Sequence, residues 1–340
     1  MQHDIRDEYR WLVHCCKTCS VPEYMLQQSV LWEQGLWKTY ERLLSAVPFP
    51  LKGRVVVDFG CKYGHLLPLL LSKGADEAIG IDIEDSYIDA GRSVFEQRYA
   101  NIKFLKSGQG SIPLQPETVD LIVANEVISH INPFYLENFF RESARVLRRN
   151  GVLLISDGNN LENENCRKKL IALYEAWENG PDGVQTDRDQ VAECYLNARR
   201  RMIGTHYTDL DPDRIDDLAQ NTSGLFGELL IGAIDAYVKT GELIRRPYQR
   251  GVSPTYPGSY GAVMERGFYP QQVQVTLENY GLECRRVLIR PVFERAGLTG
   301  FLRDLFLYVR YQVESRLAPR RLGKRSEGFQ VIGVKRRCAA

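Results

Sequence analysis

The chain has 340 residues, 44% of them hydrophobic and 26% charged, with a formal net charge of +1 at pH 7. This length exceeds one average domain and buries a sizeable core, and the near-neutral charge excludes a global field that would attract nucleic acid. Because no apolar run reaches the roughly 18 residues of a membrane span and the first residues are polar, we expect a cytoplasmic protein.

The first 50 residues predict a helical segment with reduced cysteines. Aromatic and aliphatic residues recur at helical spacing over residues 5–46, which predicts two or three helices before the first strand. Cys16 and Cys19 form a C-x-x-C pair close to His14, but a structural zinc site usually draws on two such pairs and the chain has no second one. We therefore predict no metal site, and eight cysteines in a chain of this length do not indicate a secreted disulfide framework.

Residues 54–84 combine an apolar β-branched run, a glycine turn, a leucine-rich helix and a second apolar run that ends in an acid. This order predicts one βαβ unit, with a buried strand over residues 55–57, a turn between Gly60 and Gly64, and a parallel strand over residues 78–81. In open α/β sheets a ligand binds at the carboxyl ends of the strands, where an acid about 20 residues beyond the turn accepts hydrogen bonds from ribose. Asp82 follows Gly64 by 18 residues, so the spacing predicts a nucleoside ligand.

The details of the turn disfavour a dinucleotide. A dinucleotide site needs G-x-G-x-x-G, but Lys62 occupies the second glycine position, and His65 and Leu66 follow the last glycine. The stretch DFGCKYG, residues 58–64, instead resembles the first motif, D-x-G-x-G-x-G, of class I S-adenosylmethionine-dependent methyltransferases. Lys62 departs from that motif, and its Cβ is costly if the backbone there needs a positive φ. The resemblance implies S-adenosylmethionine as the cofactor, and the residues implied to bind it in this unit are Asp58, Gly60, Gly64, Asp82 and Ile83.

Two later segments extend the resemblance. The turn at residues 107–113 is similar to the family's third motif, in which an acid contacts the adenine amino group, and here an amide that can still accept a hydrogen bond takes its place. The run at residues 119–130 resembles the family's fourth strand and the loop after it, which faces the methyl donor. The further cofactor-binding residues implied are Gln109, Gly110, Asn125 and Glu126.

The order of elements predicts an α/β fold with a doubly wound, Rossmann-like, seven-stranded sheet. A helix over residues 134–148, stopped by Asn150 and Gly151, leads to a fifth strand at residues 152–156. Residues 282–289 and 329–334 resemble the family's sixth and seventh strands, which form an antiparallel edge. We predict four segments: an N-terminal helical cover (1–50), a cofactor-binding core (51–158), a helical and loop insertion that covers the substrate (159–280), and a C-terminal segment of strands and an amphipathic helix (281–340).

The insertion after the fifth strand is predicted to be mostly helical. Its helices are expected at residues 165–177, at residues 187–202 with a capping box from Asp187 to Gln190, and at residues 225–240. The acidic run at residues 209–217 is not a calcium loop, because Arg214 and Gln220 stand where glycine and glutamate are required. Both this insertion and the N-terminal helices are candidates to cover the cleft, as helices often do in the resembling family; for the N-terminal helices, plain packing on the sheet is the alternative.

The C-terminal segment leaves two interpretations open. Residues 298–317 carry apolar side chains at helical intervals, and eight lysines or arginines between residues 316 and 337 face one acid, Glu327. A packed helix or a homodimer face is one interpretation. The other is peripheral contact of residues 298–325 with an anionic membrane surface.

The sequence offers a base for methyl transfer to oxygen. His130 follows the fourth strand and Asp157 ends the fifth, an arrangement similar to that of certain sugar O-methyltransferases, in which the carboxylate would orient the imidazole. His206 in the insertion is a second candidate base. A tyrosine-rich loop at residues 256–269 with nearby arginines would suit a glycan, an aromatic metabolite or a phosphate-bearing acceptor.

We therefore predict O-methylation of a sugar, glycan or natural-product small molecule. The chain lacks Asn-Pro-Pro-Tyr after the fourth strand, which argues against methylation of nucleobase amino groups. Two alternatives stay open: a lipid-linked acceptor at a membrane surface, and a catalytically silent, methyltransferase-like binding protein.

Overall fold

The computed structural model describes residues 4–108, 110–185, 190–191, 193–254, 265–287 and 326–336. Within these residues seven strands form one sheet in the order β3-β2-β1-β4-β5-β7-β6. The strands are β1 (Val55–Phe59), β2 (Glu77–Asp82), β3 (Ile102–Lys106), β4 (Val119–Asn125), β5 (Leu147–Asp157), β6 (Leu282–Val287) and β7 (Phe329–Lys335). The predicted doubly wound, seven-stranded sheet is confirmed.

The sheet is parallel except at one edge. β1 pairs in parallel with β2 and β4, β2 with β3, and β4 with β5, whereas β7 pairs antiparallel with both β5 and β6. β1, β2 and β4 are almost continuously buried, as expected for strands covered by helices on both faces. The strand order reverses between β1 and β4, and because β2, β1 and β4 are parallel neighbours their carboxyl ends lie at one edge of the sheet, where open α/β sheets bind ligands.

Eleven α-helices lie within the described residues. They are α1 (Ile5–Thr18), α2 (Glu23–Leu31), α3 (Trp37–Leu44), α4 (Leu67–Ser72), α5 (Asp85–Phe95), α6 (Pro133–Val146), α7 (Glu164–Asn179), α8 (Tyr195–His206), α9 (Pro212–Gln220), α10 (Gly227–Thr240) and α11 (Pro270–Asn279). A π-helical turn, Trp32–Leu36, joins α2 to α3, and Gly35 within it has φ +120°. This kink redirects the chain between the two helices.

The chain divides into two compact units. The first comprises Met1–Ile128, Tyr135–Gly158 and Pro270–Ala340, and the second comprises Ser129–Phe134 and Asn159–Tyr269. In the first unit the N-terminal helices pack onto the sheet core, since Tyr9, Met25 and Trp32 are buried in the same cluster as the leucines of α4.

Two apolar clusters stabilise the second unit. Trp177 and Tyr195 belong to the cluster of α7 and α8, and Ile203 and Leu218 belong to that of α8, α9 and α10. A buried ion pair between Arg199 of α8 and Glu178 of α7 joins two of these helices at 2.6 Å.

Two predicted helix boundaries were wrong. The helix predicted over residues 187–202 begins later, because Gln190–Val191 pairs as a short strand with Val184–Gln185 and α8 begins only at Tyr195. Asp187, the first residue of the predicted capping box, lies outside the described residues. Asn150 and Gly151 do not stop a helix either. α6 ends at Val146 and both residues lie inside β5, where the register shifts and Asn150 has φ +62°.

Several predictions concern residues outside the described ranges. They include Gln109, the tyrosine-rich loop over residues 255–264, and the predicted C-terminal helix over residues 298–317 with its basic extension. Among the residues that the structure describes, no helix combines the length and the apolar character needed to cross a bilayer.

Candidate cofactor site

The glycine turn after β1 has the backbone that its sequence predicts. Gly60 and Gly64 have φ of +77° and +82°, values that glycine adopts at little cost. Gly60 donates its N–H to the carbonyl of Ile81 at 2.7 Å, so the turn rests against β2. A Cβ on Gly60 would lie 2.3 Å from a methyl group of Val127. The turn therefore requires glycine at this position for both conformation and space.

Lys62 has the positive φ that its position in the glycine turn implies, and this backbone conformation is strained for a residue with a Cβ. Its φ is +48°, and an L-residue in this region costs about 1–2 kcal/mol. The same conformation lets the Lys62 N–H donate to Oδ2 of Asp82 at 2.8 Å, and its ammonium lies 5.7 Å from the ring centroid of Tyr24. These contacts offset part of the strain and couple Lys62 to the acid at the end of β2.

Asp82 is a buried carboxylate at the carboxyl end of β2. Oδ2 accepts the Lys62 N–H, and Oδ1 accepts the N–H of Glu84 at 3.1 Å. Burial raises the pKa of Asp82, while these backbone donors oppose the rise. Each oxygen still has a second lone pair, so the carboxylate can accept further hydrogen bonds from ligand hydroxyls. Ile83, the next residue, is partly exposed.

Asp58 adds a second acid at the neighbouring strand. It lies in β1 and is buried, and burial together with the charge of Asp82 raises the pKa of Asp58 to about 7. Two buried carboxyl groups on adjacent strands repel each other when both are ionised. A positively charged ligand bound between them would favour the ionised forms.

Asn125 ends β4 and Glu126 follows it, and both make hydrogen bonds to neighbouring elements. Glu126 has φ +54°, its N–H donates to the carbonyl of Ser156 at 2.8 Å, and its Oε2 accepts the N–H of Gly158 at 3.0 Å. The Asn125 amide donates to the hydroxyl of Tyr40 at 3.4 Å.

Tyr40 belongs to the site, although the sequence indicated it only as part of a helical apolar stripe. Burial and the charges of Asp58 and Glu126 raise the pKa of the Tyr40 phenol to about 12. Its ring stacks on Trp32 with centroids 4.5 Å apart. The place of this tyrosine in the site could not be recognised from helical spacing, because its hydrogen bond joins it to Asn125, 85 positions away.

His65 joins the glycine turn to the N-terminal helices. Its Nε2 lies 3.0 Å from the hydroxyl of Ser29, and its carbonyl accepts the hydroxyl of Tyr9 at 2.9 Å. Burial lowers the pKa of His65 to about 4, so the ring is neutral at physiological pH. The imidazole therefore acts as a packing and hydrogen-bonding element beside the turn.

Gly110 has a structural reason to be glycine. Its φ is +68°, and a Cβ there would lie 2.5 Å from the backbone oxygen of Tyr135. The close approach of α6 accounts for this glycine, and Gln109 before it falls outside the described residues.

The three candidate catalytic residues occupy different places in the chain. Asp157 is the last residue of β5, is almost fully buried and belongs to the first unit. His130 ends a short 3₁₀ turn after β4 and is exposed, and it belongs to the second unit. His206 ends α8, and its ring meets that of Tyr207 edge-on with centroids 4.9 Å apart. Their catalytic roles stay predictions.

Comparison with known proteins identifies a family for the central segment. Residues 56–151 match the family model described as a methyltransferase domain. A 108-residue stretch is 31% identical to the "Probable S-adenosylmethionine-dependent methyltransferase Rv3030" of Mycobacterium tuberculosis, covering 32% of this chain and 37% of that protein. A 110-residue stretch is 27% identical to the ubiquinone biosynthesis O-methyltransferase of Azorhizobium caulinodans, covering 32% of this chain and 42% of that protein. The chain thus spans about two fifths of the length of these relatives.

Solved structures resemble this chain at low sequence identity. A methyltransferase in complex with a Haloferax volcanii methyltransferase activator is 14% identical with a TM-score of 0.47, and the alignment covers 90% of this chain and 92% of that chain. An S-adenosylmethionine-dependent methyltransferase of Mesorhizobium loti is 11% identical with a TM-score of 0.43, covering 87% and 96%. These similarities concern the fold alone.

Proposed function

Because this chain belongs, through residues 56–151, to the class I S-adenosylmethionine-dependent methyltransferases, we propose that it transfers a methyl group from S-adenosylmethionine to a hydroxyl of a sugar, glycan or natural-product small molecule. One observation carries the proposal: the buried carboxylate of Asp82 lies against the glycine turn with acceptor capacity remaining on both oxygens. A ribose needs such an acceptor, and the carboxyl ends of parallel strands are where open α/β sheets bind nucleotides.

The donor set of the site fits this cofactor. S-adenosylmethionine supplies an electrophilic methyl group on a sulfonium and carries a positively charged amino group. Asp82 would accept the ribose hydroxyls, and the ionised form of Asp58 would stabilise positive charge at the ends of β1 and β2. Asn125, Glu126 and the hydroxyl of Tyr40 would form the boundary of the cofactor site beside β4.

Oxygen as the accepting atom is supported by the relatives. Several matched proteins are named ubiquinone biosynthesis O-methyltransferases, with 26–28% identity over 110 residues. Attack by a hydroxyl on a sulfonium methyl requires alignment of the two groups and removal of the hydroxyl proton. The proposed base is the imidazole of His130; Asp157, at the end of β5, is the second proposed catalytic residue, and His206 is the alternative base.

We predict that His130→Ala leaves the dissociation constant for S-adenosylmethionine nearly unchanged and lowers the methylation rate by about 10²- to 10⁴-fold, the usual contribution of a general base. The measurement is transfer of isotope-labelled methyl from S-adenosylmethionine to a panel of phenolic and sugar hydroxyl acceptors. If the two residues work as one unit, adding Asp157→Asn to His130→Ala slows the reaction scarcely further.

Two results would redirect the assignment. A normal rate in His130→Ala would remove this residue from the mechanism and direct the search for the base to His206 or Glu126. Tight binding of S-adenosylmethionine without transfer to any hydroxyl acceptor would contradict O-methylation and favour the binding-protein alternative.

A further inference from the structure

A cavity of about 370 Å³ lies within the second unit. Its walls include Ser223, Gly224, Arg245, Arg246, Tyr248 and Val252. Small-molecule sites in proteins typically have volumes from about 300 Å³ upward, so this cavity has the size of a metabolite-sized group. None of the residues implied to bind the cofactor lines it.

The backbone on the arginine side of the cavity is fixed. The N–H of Arg246 donates to the carbonyl of Asn221 at 2.7 Å, and the N–H of Ser223 donates to the carbonyl of Arg246 at 2.9 Å. Thr222 between them is fully buried, and its hydroxyl donates to the carbonyl of Leu218 at 2.8 Å. These bonds fix the backbone of Ser223 and Arg246, two residues that line the cavity, and a site built in advance loses less entropy on binding.

The same wall is rich in positive charge. Arg245 lies 3.2 Å from Asp217, and Arg214 lies 3.0 Å from the same carboxylate, so two guanidinium groups share one acid. Arg246 is a further arginine that lines the cavity. Planar guanidinium groups match the oxygens of phosphate and carboxylate groups and bind them with two parallel hydrogen bonds.

The remaining walls favour an apolar body. Pro133, Pro247 and the ring of Tyr248 line the cavity, and Val252 is 55% exposed there. Burial and the nearby charge of Glu175 raise the pKa of Tyr248 to about 12, so the phenol stays neutral. A ligand with an oxyanion at one end and a ring at the other would satisfy both kinds of wall.

We infer that this cavity binds a small organic molecule that carries an oxyanion, a phosphate or a carboxylate, on an apolar or aromatic body, with Arg245 and Arg246 contacting the oxyanion. The binding site itself does not depend on methyl transfer.

Calorimetric titration of the full chain without S-adenosylmethionine tests the inference. The probes are phenyl phosphate and benzoate, which distinguish the two oxyanions, with benzyl alcohol as the neutral analogue and inorganic phosphate as the oxyanion without a ring. We expect at least one of the two ring-bearing anions to bind and benzyl alcohol to bind at least tenfold more weakly. Arg246→Gln should weaken the anion by about 10- to 100-fold, the size of a lost hydrogen bond to a charged group.

Arg201→Gln is the matched control, because Arg201 is an arginine of the same unit that pairs with Glu193 and does not line the cavity. It should leave the anion affinity unchanged. If neither anion binds, if Arg201→Gln weakens binding as much as Arg246→Gln, or if the double variant Arg245→Gln with Arg246→Gln keeps full affinity, the site is overturned. Equal affinity for inorganic phosphate and phenyl phosphate would contradict the inference that the apolar walls of the cavity contact the ring of the ligand. Because no cofactor is present, none of these results depends on S-adenosylmethionine binding.

Discussion

Asp58 and Asp82, near the carboxyl ends of β1 and β2, differ in the interactions that set their pKa values. Asp82 accepts two backbone N–H groups, which favour its ionised form against burial, whereas burial and the charge of Asp82 raise the pKa of Asp58 to about 7. The pKa of Asp58 thus lies near physiological pH, and Asp58 is the group that responds to a bound cation.

This difference predicts a pH-dependent affinity for S-adenosylmethionine. Binding of a cation favours ionised Asp58, so below about pH 7 the ligand must displace a proton and its affinity falls, by up to about tenfold per pH unit for one group. Above that pH the Asp58 contribution is constant. Calorimetry between about pH 5.5 and about pH 8 should show this decline in the wild type and a flatter profile in Asp58→Asn. Equal slopes in the two proteins would exclude Asp58 as the titrating group.

At the scale of the elements, a comparison of Gly53 with Gly60 separates the conformational cost of adding a Cβ from its steric cost. Gly53 and Gly60 both have φ close to +75°, but a Cβ on Gly53 meets nothing within 4 Å while one on Gly60 meets Val127 at 2.3 Å. Gly53→Ala should therefore cost only the strain of a left-handed alanine, about 1–2 kcal/mol. The comparison isolates the clash because both variants add the same methyl group.

We predict that Gly60→Ala lowers the free energy of unfolding by about 1–3 kcal/mol more than Gly53→Ala does, the usual cost of overpacking a tight core. It should also weaken S-adenosylmethionine binding, whereas Gly53→Ala should not. Chemical denaturation and calorimetry of the two variants measure both effects. Equal losses of stability would mean that Val127 moves aside and that the turn is not tightly packed.

Local sequence patterns predicted the central strands and the turn. They failed where contacts between residues far apart in the sequence determine the structure. The apolar runs and glycines of residues 54–84 produced β1, the turn and β2 with Asp82 at its end, because burial and backbone conformation there are local properties. The helix predicted from residue 187 begins instead at Tyr195, because Gln190–Val191 pairs as a strand. Tyr40 reached the site through packing of the N-terminal helices onto the sheet, which no spacing in the sequence encodes.

At the scale of the whole molecule, the family match covers residues 56–151 and most of the second unit lies outside it. The relatives therefore support the cofactor and the transferred methyl group. The cavity with Arg245 and Arg246 lies in that second unit.

The second unit depends on its buried ion pair. Arg199 and Glu178 are about 1% and 2% exposed, and Arg199 also donates to the carbonyl of Ala219 at 2.9 Å. We predict that Glu178→Gln, which leaves the buried guanidinium charge without its partner, costs about 3–5 kcal/mol. Hydrogen exchange of α7 and α8 measures this as lost protection. Glu193→Gln, which breaks the more exposed pair with Arg201, should cost less than about 1 kcal/mol, and similar exchange in both variants would contradict the role of the buried pair.

The central claim is that S-adenosylmethionine binds with its ribose on Asp82, and calorimetric titration of the folded wild type and Asp82→Ala tests it most directly. The variant should bind about 1.5–3 kcal/mol more weakly, the size of a lost hydrogen bond to a charged group. Asp76→Ala is the control, since Asp76 is an exposed acid just before the amino end of β2, and it should leave the dissociation constant unchanged. A wild type that does not bind S-adenosylmethionine, or a folded Asp82→Ala protein that binds it as tightly as the wild type, would contradict the account.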